Sequence, residues 1–316
     1  MSFLAGNAQH IGARSSQQDS FGFGDLDDEA FLSHGGFVAV VCDGMGGLEH
    51  GDLASRSAVR AFLDAYRRKT PPESIPEALE RSVRAANDRV VEMARELGAA
   101  ESVGTTLVAA SLIDRGGRNK AMYFISVGDS GIFHIRGDRM QTVNRPHTFA
   151  SILDSAVSRG AISREQALLH PERESLTSFI GVEMLEEIDR NVDPWLLLDG
   201  DTILLASDGL FKTLSESEIL TALHAQAPHA WPDALVARTL AQEYEFQDNV
   251  TVLSVTLQDE VGKSETPGAP ASPPPQPKRS RKLIAAGLVF GIVGIAAGGG
   301  GWWYKKHRAA QGAVRK

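Results

Sequence analysis

Four short apolar runs in this chain abut an aspartate, and that placement limits the available folds more than any other feature. Phe37-Val-Ala-Val-Val-Cys leads into Asp43-Gly-Met-Gly-Gly47, Tyr123-Phe-Ile-Ser-Val-Gly into Asp129-Ser130, and Ile203-Leu-Leu-Ala-Ser into Asp208-Gly209. Asp248-Asn249 opens Val250-Thr-Val-Leu-Ser-Val. Runs this rich in Val, Ile, Leu and Phe read as buried strands. A lone Asp-Gly or Asp-Asn is an ordinary turn dipeptide; several of them, each against a buried strand, point to a site built on rigid strand ends. Carboxylates gathered by a sheet repel one another, and hard divalent cations offset that repulsion. An all-oxygen ligand set suits Mg²⁺, Mn²⁺ or Ca²⁺ rather than zinc. The glycines after Asp43 let the backbone approach a ligand, so the Gly44 carbonyl can join the set.

The rest of the body alternates strands and helices. Thr106–Ile113 and Ala121–Val127 read as a hairpin turning through Asp114–Asn119, and Phe37–Val41, Ile203–Ser207 and Val250–Leu257 as further strands. Residues 53–66 place Leu53, Val59, Phe62, Leu63 and Tyr66 on one helical face. A second helix is predicted from Ser74, with Glu77 three residues on in capping-box spacing. Its stripe runs Leu79, Val83, Ala86, Val90 and Leu97, and Gly98 stops it. No internal repeat is found. Strands with amphipathic helices between them suggest an α/β sandwich.

Composition closes several alternatives. The single cysteine, Cys42, excludes a disulfide framework and any cysteine-rich metal site. Residues 261–316 carry ten Lys/Arg against one acidic residue, Glu265, so the first 260 residues hold −17 of a chain whose net charge is −8. A body this acidic excludes a broad nucleic-acid face, which needs clustered Lys/Arg. The opening Met1–His10 lacks the basic region and apolar run of a secretory signal, so the body is expected in the cytoplasm.

The C-terminal region reads differently. Residues 267–277 contain six prolines, expected to form a stiff linker, and Lys278-Arg-Ser-Arg-Lys282 follows. Leu283 to Gly301 has no charged or strongly polar side chain; Trp302, Trp303 and Tyr304 come next, and Lys305, Lys306 and Arg308 close the segment. About 20 apolar residues match the bilayer core, and interfacial aromatics with basic flanks fit its edges. The expected organisation is a folded domain over 1–258, a linker over 259–282, one transmembrane helix over 283–304 and a basic tail over 305–316. That places a single-pass protein in the inner (cytoplasmic) membrane with its body in the cytoplasm. Gly287 and Gly291, and Gly294 and Gly298, have the spacing that suits a helix-mediated dimer.

Near the N-terminus, Gly12-Ala-Arg14-Ser-Ser-Gln-Gln-Asp19 sets a guanidinium five residues before a carboxylate. A guanidinium is a planar fork suited to phosphate oxygens. Taken in order, Arg14…Asp19, Asp43-Gly-Met-Gly-Gly47, Gly104-Thr-Thr106, Gly128-Asp-Ser130, Ser207-Asp-Gly209 and Asp248-Asn249 resemble the motifs of metal-dependent protein phosphatases of the 2C type, across residues 6–257. The resemblance implies an α+β fold, a four-layer α-β-β-α sandwich with two antiparallel sheets between pairs of helices. It also implies two Mn²⁺ or Mg²⁺ ions bridged by Asp43, with the Gly44 carbonyl beside it and Asp208 and Asp248 on the first ion. Asp19 resembles the carboxylate that holds metal-bound water, and Arg14 the residue that grips the substrate phosphate. Asp129, with Asp208, matches a third-metal position of bacterial members. Residues 145–181, with His147, Thr148 and Gly160, resemble a mobile flap beside the cleft. Three departures stand out: Gly131 follows the Gly-Asp-Ser motif where Arg is usual, Gln17 stands where Asn is frequent, and Met45 replaces a histidine of eukaryotic relatives.

The implied activity is that of a protein-serine/threonine phosphatase: metal-assisted hydrolysis of phosphoserine and phosphothreonine in proteins, reversing a cognate Ser/Thr kinase. Other phosphatase chemistries fail on single residues. Cys-x5-Arg is broken by Leu48, a haloacid-dehalogenase pair by Met45, and no Gly-x4-Gly-Lys-Ser/Thr loop exists. The remaining alternative is a catalytically silent, phosphatase-like sensor or scaffold at the membrane. His10, His34, His50, His134, His170, His224 and His229 show no ligand spacing and read as structural or surface residues, as do Trp195 and Trp231.

Overall fold

Alternation along one strand sets the layering. In the computed structural model, which describes residues 3–45, 50–99, 102–117 and 119–258, Val38, Val40 and Cys42 face one apolar layer and Phe37, Ala39 and Val41 the next. A strand apolar on both faces must be covered on both. In chain order the elements are β1 (Phe3–His10), β2 (Asp19–Phe23), α1 (Glu29–Gly35), β3 (Phe37–Met45), α2 (Gly51–Tyr66), α3 (Ile75–Glu96), β4 (Gly104–Thr105), β5 (Leu107–Asp114), β6 (Lys120–Val127), β7 (Gly131–Arg136) and β8 (Arg139–Thr142). There follow α4 (Phe149–Ser158), α5 (Arg164–Leu168), β9 (Asp189–Arg190), β10 (Trp195–Leu197), β11 (Thr202–Ala206), α6 (Asp208–Phe211), α7 (Glu216–His224), α8 (Trp231–Leu240) and β12 (Val250–Leu257).

Two antiparallel sheets form the centre. One runs β1-β12-β11-β7-β8; the other runs β10-β6-β5-β3-β2, with β4 on β3 and β9 on β6. Phe37, Val108, Leu112, Ile203, Leu205, Leu253 and Val255 fill the space between them. Helices α2 and α3 cover the outer face of the β3 sheet through Phe62, Leu79, Val83 and Val90. Helices α7 and α8 cover the outer face of the other through Ile219, Leu223 and Leu235. The result is the α+β arrangement expected, two antiparallel sheets flanked by helices.

Local chemistry explains the best-defined elements. Ser74 and Glu77 form the anticipated capping box at the start of α3. That helix ends at Glu96, so Leu97 falls outside it and is exposed rather than part of the apolar stripe. Ser207 also differs from expectation: β11 stops at Ala206, and Ser207 stands just before the single turn α6 that Asp208 opens, with its hydroxyl turned to Asp19 rather than to the helix. Asp43 and Gly44 lie inside β3, which runs on to Met45. Trp195 packs on the inter-sheet core and donates to His134 Nδ1, and Trp231, the first residue of α8, packs on the core beneath α7 and α8, both as structural residues. Among the described residues no helix is long and apolar enough to cross a membrane. The span expected at 283–304, its glycine spacing and the proline linker lie outside the described residues.

The β7–β11 edge is tied by one buried carboxylate. Asp201, 1% exposed, accepts from Arg136 Nε at 2.8 Å, Arg136 Nη2 at 2.6 Å and the Leu198 N–H at 2.8 Å, with His134 Nε2 at 2.9 Å. Burial alone would raise its pKa, but the Arg136 guanidinium and the His134 ring hold it well below the usual aspartate range. A depressed carboxylate pKa contributes stability above the unfolded-state value and loses it as pH falls through the folded one. Asp201→Asn should therefore lower the unfolding free energy by about 1–3 kcal/mol at neutral pH. In urea titrations the gap from wild type should narrow below about pH 4.

Candidate metal centre

Strand pairing brings the first two carboxylates together. In the β2–β3 ladder Asp19 stands directly opposite Asp43. Asp208 enters from the turn after β11, Asp248 from just before β12, and Asp129 from the turn after β6. Their mutual influence shows in their acidity. Asp43 is crowded by protein and then by the charges of Asp19, Asp208, Asp129 and Asp248, which together hold its pKa well above the ordinary value. Asp19 is pushed up to about 6, chiefly by burial, against hydrogen bonds from Thr251 and Ser207. Burial and Asp208 likewise raise Asp129.

The surrounding hydrogen bonds fix these groups in place. The Asp43 N–H donates to Thr106 Oγ1 at 2.9 Å, while Asp43 O accepts from the Thr106 N–H and from Thr105 Oγ1, each at 2.8 Å. Thr106 Oγ1 in turn meets Ser130 Oγ at 2.7 Å, beside Asp129. Asp19 Oδ2 accepts from Ser207 Oγ at 2.8 Å and Thr251 Oγ1 at 2.7 Å. Gly44 is dictated by close approach: a Cβ there would lie 2.1 Å from Gly51 O and 2.6 Å from Gln18 O.

Asn249 was visible in the sequence only as part of a motif, and here it staples the Arg14 loop. Its Oδ1 accepts from the Gln18 N–H at 2.7 Å, and its Nδ2 donates to Ile11 O at 2.8 Å and Ser16 O at 3.1 Å. Gln17 Oε1 accepts from the Asp19 N–H, a role suited to either amide side chain at that position.

Two side-chain cations enter the cluster. Arg14 Nη2 donates to Asp248 Oδ2 at 2.7 Å from a half-exposed position. Lys212, which the sequence reading overlooked, donates to Asp208 Oδ2 at 2.5 Å and stands 3.5 Å from Asp129 Oδ2. Its spacing four residues after Asp208 was the available signal. Burial works against the Lys212 ammonium, but Asp208 and Asp129 outweigh it and raise its pKa.

Among the described residues no three His, Cys, Asp or Glu side chains are arranged as a ready-made metal site. The donor set nevertheless fits hard divalent cations. Oδ1 of Asp19 and Oδ1 of Asp208 are buried without a hydrogen-bond partner. Such orphaned oxygens are costly unless a cation or water satisfies them, and the raised pKa values of Asp43, Asp19 and Asp129 report the same unmet demand for positive charge.

The three residues expected in the flap lie in the segment that packs against the Asp129 turn. His147 is buried; its N–H donates to Gly128 O at 2.9 Å, and its Nδ1 accepts from the Gly128 N–H at 3.2 Å. Thr148 pairs with Leu176 in an isolated bridge, and Gly160, at φ +71°, turns the chain after α4. These three residues anchor and shape segment 145–181 beside the Asp129 turn. Cys42 is fully buried, and its thiol pKa is raised by burial and by Asp43, so it offers no nucleophile.

The chain is similar to known proteins of one family. The family model described as Protein phosphatase 2C matches residues 7–242. The serine/threonine phosphatase stp of Listeria innocua is 34% identical over 221 residues, covering 69% of this chain and 83% of the relative. The protein phosphatase PhpP of Streptococcus pneumoniae is 30% identical over 230 residues, covering 71% and 87%. The crystal structure of the PPM Ser-Thr phosphatase MsPP from Mycobacterium smegmatis, in complex with cacodylate, superposes with a TM-score of 0.61 at 28% identity, over 80% of this chain and 97% of that one.

The Thr106 hydroxyl couples Asp43 to the Asp129 turn, so its removal strands two buried polar groups. Thr106→Val should cost about 1–3 kcal/mol in denaturant unfolding, whereas Thr106→Ser should recover most of that loss.

Proposed function

The chain belongs to the protein phosphatase 2C family, and on that footing we propose that it is a metal-dependent protein-serine/threonine phosphatase. The observation that carries the reading is the convergence of Asp19, Asp43, Asp129, Asp208 and Asp248 with two orphaned carboxylate oxygens among them. Asp43, the Gly44 carbonyl, Asp208 and Asp248 would hold two Mn²⁺ or Mg²⁺ ions. When bound, those ions supply a water acidified for attack at neutral pH and positive charge for the transferring phosphoryl group.

The chain's own residues do the rest. Arg14, half-exposed and tethered only through Asp248, offers its fork to the phosphate of a phosphoserine or phosphothreonine side chain. The Asn249 staple keeps that guanidinium in register with the carboxylates, which is the positioning that phosphoryl transfer demands. Asp19 has one oxygen fixed by Ser207 and Thr251 and the other free to accept a hydrogen bond from the attacking water. Water activated at the metal centre can attack directly, so no covalent phospho-enzyme is needed. Each ligand position is filled by a residue able to ligate, which leaves the silent-scaffold alternative without support.

The proposal extends to location. The uncharged run 283–304 between two basic clusters supports an anchor in the cytoplasmic membrane, with the phosphatase domain facing the cytoplasm and its kinase-modified substrates. The proline-rich linker would raise the domain's effective concentration toward phosphoproteins at that surface.

Excess chelator should abolish hydrolysis of a phosphothreonine peptide, and added Mn²⁺ or Mg²⁺ should restore it; full turnover in chelator would refute the metal-dependent reading. Arg14→Ala should chiefly raise KM, because the guanidinium contacts phosphate in ground and transition states alike, while Asp208→Asn should chiefly lower kcat. A chain ending at Val261 should keep its turnover yet move from the membrane fraction to the soluble one. Recovery of the full-length protein without detergent would refute the anchor.

A further inference from the structure

The Asp129–Asp208 pair already has a cation of its own. The backbone N–H of Lys212 donates to Asp208 O at 2.9 Å, one helical turn on, so its side chain rises over the Asp208 carboxylate. The ammonium bonds Asp208 Oδ2 at 2.5 Å and lies 3.5 Å from Asp129 Oδ2, spanning the two carboxylates from different turns of the fold. An acidic residue four positions before a lysine is the favourable order for such a pair. We infer that Lys212 takes the place of a third metal ion, so that Asp129 serves as the partner of a lysine and the centre binds two divalent cations and no more.

A packing feature independent of charge holds Lys212 there. Phe211, its immediate neighbour, stacks edge-on against Phe133, with ring centroids 5.5 Å apart and planes at 67°. Gly131 makes that contact available: a Cβ at 131 would lie 2.6 Å from the Phe133 ring and 3.0 Å from Phe211. Gly131 directly follows the Asp129-Ser130 turn, so the ring pair clamps the end of α6 onto the strand that leaves Asp129. Any side chain at 131 would push those rings apart and loosen the lysine's seat.

The electrostatics follow from this geometry. An ammonium in hydrogen-bond contact with one carboxylate and close to another halves the negative charge of the pair that a divalent ion would collect. Such an ion would also have to displace Lys212 and bear its repulsion. The compact ammonium charge of lysine suits the role of a single fixed cation between two oxygens. Lys212 bonds Oδ2 of Asp208 and leaves its Oδ1, together with Asp43 and Asp248, to the two-ion centre. The inference rests on the metal-dependent reading above and restricts it.

The test counts bound ions rather than turnover. Full-length protein in detergent is titrated with Mn²⁺, and free Mn²⁺ is read by electron paramagnetic resonance. Wild type should saturate at two ions per chain. Lys212→Met should admit a third, weaker ion, and Lys212→Arg, which keeps the positive charge, should stay at two. Three ions in wild type, or two in Lys212→Met, would overturn the inference. A wild-type count below two would overturn the two-ion centre itself and the inference with it, a result distinct from failure of Lys212 alone. Gly131→Val supplies a second approach that leaves the lysine in place: by crowding Phe133 and Phe211 it should also raise the count toward three, and an unchanged count in a folded variant would contradict the clamp.

Discussion

The repulsion among five aspartates brought to one end of a β-sandwich is the constraint on which the remaining structure depends. Taking carboxylates out of water costs several kcal/mol per ion, and placing them beside one another adds to that cost. The ordinary response would be protonation, and the raised pKa values of Asp43, Asp19 and Asp129 show the pressure toward it. The chain counters with hydrogen bonds where these do not occupy the functional oxygens. Ser207 and Thr251 hold one oxygen of Asp19, and Thr105 and Thr106 hold the backbone of Asp43 rather than its carboxylate. What remains unsatisfied, Oδ1 of Asp19 and Oδ1 of Asp208, is a demand that divalent cations and a water beside them can meet.

The two side-chain cations answer that demand in different ways. Arg14 sits half-exposed on a loop held by Asn249 and pairs with Asp248, a contact that a phosphate could exchange for its own oxygens. Lys212 grows from the same helical turn as Asp208 and is seated by the Phe133–Phe211 rings over Gly131. One cation is placed to engage substrate and the other to fill a permanent position. The acidic cluster is thereby divided into a part that accepts metal and a part closed by the protein itself.

Much of this was legible in the sequence, for reasons that can be named. Strands such as Phe37–Val41 and Val250–Leu257 are rich in apolar residues on both faces because both faces are covered, and the capping box at Ser74 announces α3 without tertiary help. Asp43, Asp129, Asp208 and Asp248 were legible because each abuts such a strand, whereas Asp19 was read only from its place after Arg14. Strands β1 and β2 were not, since FLAGNAQH and DSFGF carry glycines and polar residues and owe their extended form to pairing with β12 and β3. The end of β11 was misplaced by one residue because Ser207 still bonds the neighbouring strand, its N–H donating to Thr251 O, while it already precedes the turn of α6. His147, Thr148 and Gly160 came from the resemblance alone, and the Gly128 contacts of His147 arise from a fold-back that no local pattern encodes. Gly131 read as a lost arginine, and only its distance to Phe133 shows what the missing side chain makes room for.

Thermal unfolding of wild type and Asp43→Asn, each with and without Mn²⁺ at constant pH, addresses the central claim most directly. If carboxylate repulsion relieved by divalent cations governs this site, wild type should show a saturable rise in Tm with Mn²⁺, as expected for a ligand bound only by the folded state. Asp43→Asn should melt higher than wild type without metal, because one repelling charge is gone, and should lose the Mn²⁺-dependent rise. A wild-type Tm indifferent to Mn²⁺, or an Asp43→Asn protein that still gains the full increment, would contradict the account.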